Sequence, residues 1–295
     1  MQRDLQILSN RPLEGNVSPT VSVCVLTYNH EKYIRQTLSG LLMQQTNFSI
    51  EILIHDDAST DNTQDIIMEF SNKYPHIFKP VLQKQNQRSI YGGGMNPRFN
   101  YQRANGKYIA LCEGDDYWTD PYKLQNQVDF LEKNPQYSIC FTYSLKIDDQ
   151  GNSLESIANL KQEIFTQYDF LIGRKYQTRT QTILFNKDYL NLDKIYKLNP
   201  KNKINGDTLL KIQLTDKQKL GIRLPMCTAV YRQHQRGVWS GLSKVELTKK
   251  YFYSWRAKLK ITLHLNLRAF LFILFLTIKY FVKWKVYAFL KLNGK

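Results

Sequence analysis

The sequence predicts an α/β chain, with a mostly parallel central sheet flanked by helices and a basic, aromatic-rich helical tail. Three observations carry that expectation. Short apolar, β-branched runs alternate with helix-like segments through the first part of the chain. Three of those runs end in polar clusters. The positive charge is concentrated behind residue 242. Alternating strands and helices build parallel sheets through right-handed crossovers, and ligands of such sheets bind beyond the carboxyl ends of the strands.

The elements follow in order. Val21-Ser22-Val23-Cys24-Val25-Leu26 is a continuous run of the kind found in a strand buried on both faces. It stops at Thr27-Tyr28-Asn29-His30, and a helical pattern runs from Lys32 to Gln45. Ile50-Glu51-Ile52-Leu53-Ile54 is the second strand and ends in His55-Asp56-Asp57-Ala58-Ser59-Thr60-Asp61. The helical pattern that follows, Ile66 to Tyr74, is preceded by Ser, Thr and Asp suited to N-capping. A third run, Ile77 to Leu82, precedes a loop containing Gly92-Gly93-Gly94. The fourth, Tyr108-Ile109-Ala110-Leu111, opens directly onto Cys112-Glu113-Gly114-Asp115-Asp116-Tyr117-Trp118. Beyond it, Lys123 to Asn134 has helical spacing closed by Pro135. Tyr137 to Tyr143 reads as a strand, and Asp148 to Asn152 as a tight turn.

Three carboxylates within four residues repel one another unless a cation or a hydrogen-bond network holds them. A divalent ion shared with a substrate's phosphates suits such a cluster. An isolated acidic turn would be ordinary surface, but here three polar strand ends converge.

At these residues the chain resembles glycosyltransferase family 2. The resemblance rests on Val-Ser-Val-Cys-Val-Leu-Thr-Tyr-Asn at 21–29, Asp-Asp-Ala-Ser-Thr-Asp at 56–61 and Glu-Gly-Asp-Asp-Tyr-Trp at 113–118. It covers roughly residues 20 to 240 and implies a GT-A fold. It also implies transfer of a sugar from a nucleotide diphosphate donor, commonly a UDP-sugar, with inversion at the anomeric carbon and Mn²⁺ or Mg²⁺ as cofactor. Thr27, Tyr28, Asn29, Asp56 and Asp57 match the nucleoside-contacting positions, and Asn96, with Arg98 and Asn100, the donor-side polar positions. Glu113, Asp115 and Asp116 match the metal-binding DXD element. Its usual first Asp is Glu113 here, which favours Asp115 and Asp116 as ligands.

The resemblance also points to Asp207, in Asn205-Gly206-Asp207-Thr208, as the general base; the same residue also suits a plain helix N-cap. His234 is a candidate metal ligand or a structural histidine, and Arg236 or Arg232 a candidate partner of the diphosphate. Trp239 either stacks on the donor or anchors its loop. Thr180-Gln181-Thr182 is a candidate border of the acceptor site.

Composition bounds the alternatives. A chain of 295 residues with 42% hydrophobic content supports one large domain and an appendage. The four cysteines are dispersed without a Cys-x-x-Cys pair and read as small buried hydrophobes. Met1 to Ser18 lacks the apolar core of a signal peptide. The expected organisation is an N-terminal extension (1–19), a catalytic domain (20–242, with a donor half to 118 and an acceptor half from 119) and a membrane-associating tail (243–295).

From Ser243 onward there are twelve Lys or Arg and one acid, Glu246, so the tail holds eleven of the sixteen net positive charges. The tail also carries Tyr251, Phe252, Tyr253, Trp255, Phe270, Phe272, Phe275, Tyr280, Phe281, Trp284, Tyr287 and Phe289. Basic and aromatic residues together suit an anionic membrane interface, where each basic residue contributes about 1 kcal/mol. The longest uncharged stretch, Ala269 to Ile278, is too short to span a bilayer. The expectation is a peripheral or monotopic enzyme on the cytoplasmic side of the cell membrane, acting on a glycan or lipid-linked acceptor in surface polysaccharide biosynthesis. A short tilted or re-entrant insertion and a helical cap on the catalytic domain are the alternative uses of the tail. A sugar nucleotidyltransferase would carry a Gly-rich basic loop after the first strand, where Thr-Tyr-Asn-His stands instead. A non-catalytic membrane-binding protein leaves the polar strand ends unexplained. A nucleic-acid partner is not expected, because the basicity is not on the main domain.

Overall fold

A computed structural model describes residues 18–173, 178–198, 204–216, 218–234, 242–262 and 267–292. The strands are β1 (Val21–Thr27), β2 (Ile50–Asp56), β3 (Phe78–Leu82), β4 (Tyr108–Glu113), β5 (Tyr117–Trp118), β6 (Tyr137–Ile147), β7 (Glu163–Phe165), β8 (Leu184–Asn186) and β9 (Leu220–Arg232). The helices are α1 (Ile34–Leu42), α2 (Thr63–Lys73), α3 (Gln87–Tyr91), α4 (Lys123–Lys133), α5 (Gln167–Ile172), α6 (Leu192–Leu198), α7 (Gly206–Leu214), α8 (Lys244–Thr262) and α9 (Leu267–Leu292).

The sheet runs β3-β2-β1-β4-β8-β6-β9-β5, with β7 added on β9. From β3 to β4 every pairing is parallel, as the strand–helix alternation requires. Short β8 runs antiparallel between β4 and β6, and the parallel β6–β9 pair completes the second half. The predicted strands and helices of the first half are present, with ends shifted by a few residues. The turn at Asp148–Asn152 is closed by the Asp148 amide on the Asn152 carbonyl at 3.0 Å.

Period-two alternation explains why β1 reads as continuously apolar. Val21, Val23 and Val25 face a core shared with α1, α2 and α4. Cys24 faces the opposite core, with Leu53, Ile109 and Leu111 and the side chains of α5 and α7. A sheet covered on both faces needs apolar residues at both parities. Cys24, Cys112 and Cys140 are buried and Cys227 half-buried, all four as free thiols.

The tail forms two helices that pack against each other and against the α/β fold. Phe252 stacks on Trp284 with ring centroids 5.6 Å apart, and Tyr251 meets Tyr280 at 5.2 Å. Ile261 and Ile273 are buried in the same core as α5 and α7, and Ala269 is buried as well. The ammonium of Lys258, itself buried, donates to the carbonyls of Phe170 (3.3 Å) and Leu171 (3.1 Å) at the end of α5. The helical-cap alternative therefore describes α8 and one side of α9.

Candidate active site

The parallel register brings three strand ends level: Thr27 of β1 pairs with Asp56 of β2, and Leu26 pairs with Glu113 of β4. The loops beyond them are stitched together. Asn29 takes a left-handed conformation (φ 54°), its amide donates to Ser59 Oγ at 2.8 Å, and its side-chain oxygen accepts from the Thr60 amide at 2.8 Å. Buried Asp56 accepts from the Ser59 amide, the Ser59 hydroxyl and Gln64 Nε2. Asp57 accepts from the amides of Gln87 (2.6 Å) and Arg88 (3.1 Å), fixing the first turn of α3 beside β2. Asn29, Asp56 and Asp57 thus already have protein partners that shape the loops, whereas the Tyr28 ring stands exposed at the mouth.

The acidic turn is held from three sides. Thr37 Oγ1 of α1 lies 2.9 Å from the Gly114 carbonyl and 2.7 Å from that of Asp116. The Arg232 amide of β9 donates to Asp116 Oδ1 at 2.9 Å. Gly114 itself sits so close to β1 that an added Cβ would stand 2.7 Å from Thr27 Cβ and 2.8 Å from His30 Nδ1. Only glycine allows the turn to fold against that strand end.

Asp115 Oδ2 lies 2.9 Å from His234 Nε2 and 3.8 Å from His30 Nε2. The two imidazoles meet edge to face, 6.2 Å between centroids. Burial works against ionisation of Asp115, but the hydrogen bond with His234 and the neighbouring His30 outweigh it and hold its carboxyl below the ordinary value. Burial lowers the His30 pKa, favouring the neutral imidazole that ligates metals. Glu113 is pushed up to about 8, first by burial and then by the charges of Asp115 and Asp207. Asp116 is raised well above a normal carboxylate, again chiefly by burial and then by Asp115 and Glu113; its Oδ2 is buried without a hydrogen-bond partner.

These features fit a divalent cation. His30, Asp115 and His234 present ligand atoms within 4.8 Å of one another, and so do Glu113, Asp115 and Asp116. Crowded carboxylates with an orphaned buried oxygen are what a cation would relieve. His30 was not among the residues picked out from the sequence, although it directly follows Thr27-Tyr28-Asn29.

Asp207 lies in the first turn of α7, and Asn205 occupies the N-cap position. It is therefore not the plain N-cap that its sequence context also allowed. Its Oδ2 lies 2.9 Å from the ammonium of Lys211, a buried lysine that also donates to the Thr178 carbonyl at 2.6 Å. Burial opposes its ionisation, yet Lys211 holds the Asp207 carboxyl below its ordinary value. Its charge is felt at Glu113, which puts it within electrostatic reach of the acidic turn.

Asn96 accepts from Asn100 Nδ2, which also donates to the Val25 carbonyl. This pair latches the π-helical turn Asn96–Asn100 onto β1. Arg98 stacks over Tyr91 and Tyr196. Arg232 is buried, donating to Gln36 Oε1 and the Asp115 carbonyl over the Tyr33 ring, so it braces the turn rather than facing open space. Gln181 is fully buried, and its carbonyl accepts from Trp118 Nε1 at 2.8 Å. Arg236 and Trp239 lie outside the described residues.

The sequence model described as "Glycosyl transferase family 2" matches residues 22–192. An uncharacterized protein of Mycobacterium tuberculosis is 35% identical over 219 residues, covering 74% of this chain and 60% of its own length. The chain thus spans well under two thirds of that relative. A Bacillus subtilis protein named for teichuronic acid biosynthesis is 31% identical over 151 residues, which is 50% of this chain and 56% of that protein. Among solved structures, S. aureus TarS 1–349 in complex with UDP-GlcNAc superposes with a TM-score of 0.61 at 19% identity, over 90% of this chain and 72% of that one. The mannosyltransferase PcManGT of Pyrobaculum calidifontis, in complex with GDP-Man and Mn²⁺, gives 0.55 at 14% identity, over 91% and 78%. At such identities these structures establish the fold, GT-A, and nothing finer.

Proposed function

The chain belongs to glycosyl transferase family 2, and from that premise we propose that it transfers a sugar, with inversion, from a UDP-sugar to a glycan or lipid-linked acceptor in surface polysaccharide synthesis. The observation that carries the reading is the level alignment of the β1, β2 and β4 ends, with Asp115 between two histidines and Asp207 within electrostatic reach. TarS supports a uridine donor, because its complex holds UDP-GlcNAc. The teichuronic-acid relative supports a polysaccharide product.

Asp115, His234 and His30 would hold the cation, with Glu113 and Asp116 completing its acidic surroundings. A bound divalent ion supplies Lewis acidity to the departing diphosphate and a template for both phosphates. Two imidazoles beside one carboxylate favour Mn²⁺ over Mg²⁺, since nitrogen ligands suit the later metal. Thr27, Tyr28, Asn29, Asp56 and Asp57 form the nucleoside end and Asn96 the donor side. Arg236 is the proposed partner of the diphosphate, and Trp239 of the donor. Asp207 takes the acceptor hydroxyl's proton as that oxygen attacks from the face opposite the diphosphate. Lys211 keeps Asp207 ionised for the purpose. The acceptor is met at the cytoplasmic face of the cell membrane, on which residues 243–295 hold the enzyme.

Thermal unfolding with UDP, GDP, dTDP or CDP, each with Mn²⁺, with Mg²⁺ or with neither, tests the donor site. A nucleotide at about 100 times its Kd adds about 2.7 kcal/mol of stability. A shift for UDP that is larger with Mn²⁺ than with Mg²⁺ is expected. A larger shift with GDP would replace the uridine assignment, and no shift for any nucleotide would contradict the donor site.

A further inference from the structure

Helix α9 turns its most apolar side outward. Leu267, Leu271, Phe275, Ile278, Val282 and Phe289 recur at steps of three, four or seven residues and are exposed, Leu267 at 71% and Phe275 at 59%. At 100° per residue they fall in one sector about 80° wide. Buried Ala269, Ile273 and Thr277 lie on the opposite side, as do Tyr280 and Trp284, whose rings meet α8. Arg268, Lys279 and Lys283 border the outer stripe along one edge, exposed Lys285 lies on the other at the angle of Leu267, and α9 contains no acid.

An apolar stripe along a 26-residue helix, about 39 Å long, marks an interaction surface. The charge pattern chooses the occupant. A second copy of this chain would set one basic, acid-free helix against another. A bilayer with anionic headgroups offers hydrocarbon for the stripe and phosphates for the bordering cations. Spanning is not the geometry, since no helix of the described residues is long and apolar enough to cross a membrane, and the inner side of α9 is already covered by protein. The aromatic residues of the tail do not form a common lipid-facing belt either, because Phe252, Tyr253, Tyr280 and Trp284 pack between the two helices.

We propose that the outer face of α9, and not the tail as a whole, is the membrane-docking surface. The helix lies in the plane of an anionic interface, and α8 is its mount on the catalytic fold. This deepens the reading that the acceptor is met at a membrane and rests on it for its biological purpose. Binding to lipid is measured without donor or acceptor, so its failure is distinct from failure of the transferase reading.

The test is co-sedimentation of the full chain with vesicles of phosphatidylcholine alone or mixed with phosphatidylglycerol. Three variants accompany it: Leu271→Glu/Phe275→Glu on the stripe, Lys279→Glu/Lys283→Glu on its edge, and Met68→Glu on α2 as an exposed control. The wild type and the control should bind the mixed vesicles at least ten-fold better than the neutral ones. The stripe variant should lose binding by at least ten-fold, and the edge variant should lose the preference for anionic lipid. Circular dichroism and thermal unfolding of the stripe variant should match the wild type. Undiminished vesicle binding by the stripe variant would overturn the proposal. So would absence of wild-type binding together with a solution dimer that Leu271→Glu/Phe275→Glu dissociates.

Discussion

The loops at the ends of β1, β2 and β4 and the α8–α9 pair place polarity in opposite ways. At the strand ends, carboxylates and imidazoles gather around Asp115, and almost every apolar neighbour points into the sheet. In the helix pair a lysine, Lys258, is buried against backbone carbonyls while Leu267 and Phe275 face outward. The first region crowds like charges, which favours binding a counter-ion; the second exposes apolar surface, which favours binding something apolar. Substitutions at the strand ends should therefore cost function with little stability. Substitutions on the inner side of the helices should cost stability first.

The sharpest division is expected from Asp207→Asn, which should retain donor binding by calorimetry and lower transfer about a hundred- to ten-thousand-fold. Full turnover by this variant would remove Asp207 as the base. Deleting residues 243–295 is the counterpart in the helix pair. It uncovers the core that Ile261 and Ile273 close, and the loss should be about 4 kcal/mol or more in chemical denaturation. A truncated protein as stable as the full chain would show that the tail is a separable anchor. Such a deletion therefore mixes membrane release with unfolding, and substitutions on the outer stripe are the cleaner probe.

Gly114→Ala is the exception at the strand ends, because it strikes close packing as well as the acidic turn. Its Cβ would meet Thr27 and His30 closer than 3 Å, so about 1–3 kcal/mol of stability should be lost. Metal-dependent nucleotide binding should weaken with it. The smallest effect is expected from Lys211→Met. Lys211 lowers the Asp207 carboxyl, so without it the carboxyl protonates at higher pH. The acid limb of kcat/KM should move to higher pH, and an unmoved limb would separate Lys211 from the base.

The strand ends were legible because parallel register is local and repetitive. Once β1, β2 and β4 are recognised as apolar runs, Thr27, Asp56 and Glu113 must emerge together. What each side chain then does was not legible. Asp56 and Asp57 read as ligand contacts, and that they also accept from Ser59, Gln64 and the α3 amides depends on loop closure, which no local pattern displays. His30 went unnoticed for the opposite reason: its neighbour Asp115 lies 85 positions away in sequence and meets it only after β4 pairs with β1. The tail was half legible. Its basic and aromatic character was plain, but which side of α9 meets protein depends on Ile261 and Ile273 finding the α5–α7 core.

The central claim, that these strand ends form a cation-dependent nucleotide site, is tested most directly by titrating UDP into the wild type and Asp115→Asn, with and without Mn²⁺, by calorimetry. The account predicts Mn²⁺-dependent binding to the wild type that falls at least ten-fold in Asp115→Asn while the variant keeps its thermal stability. Equal binding with and without the cation, unchanged by the substitution, would contradict it.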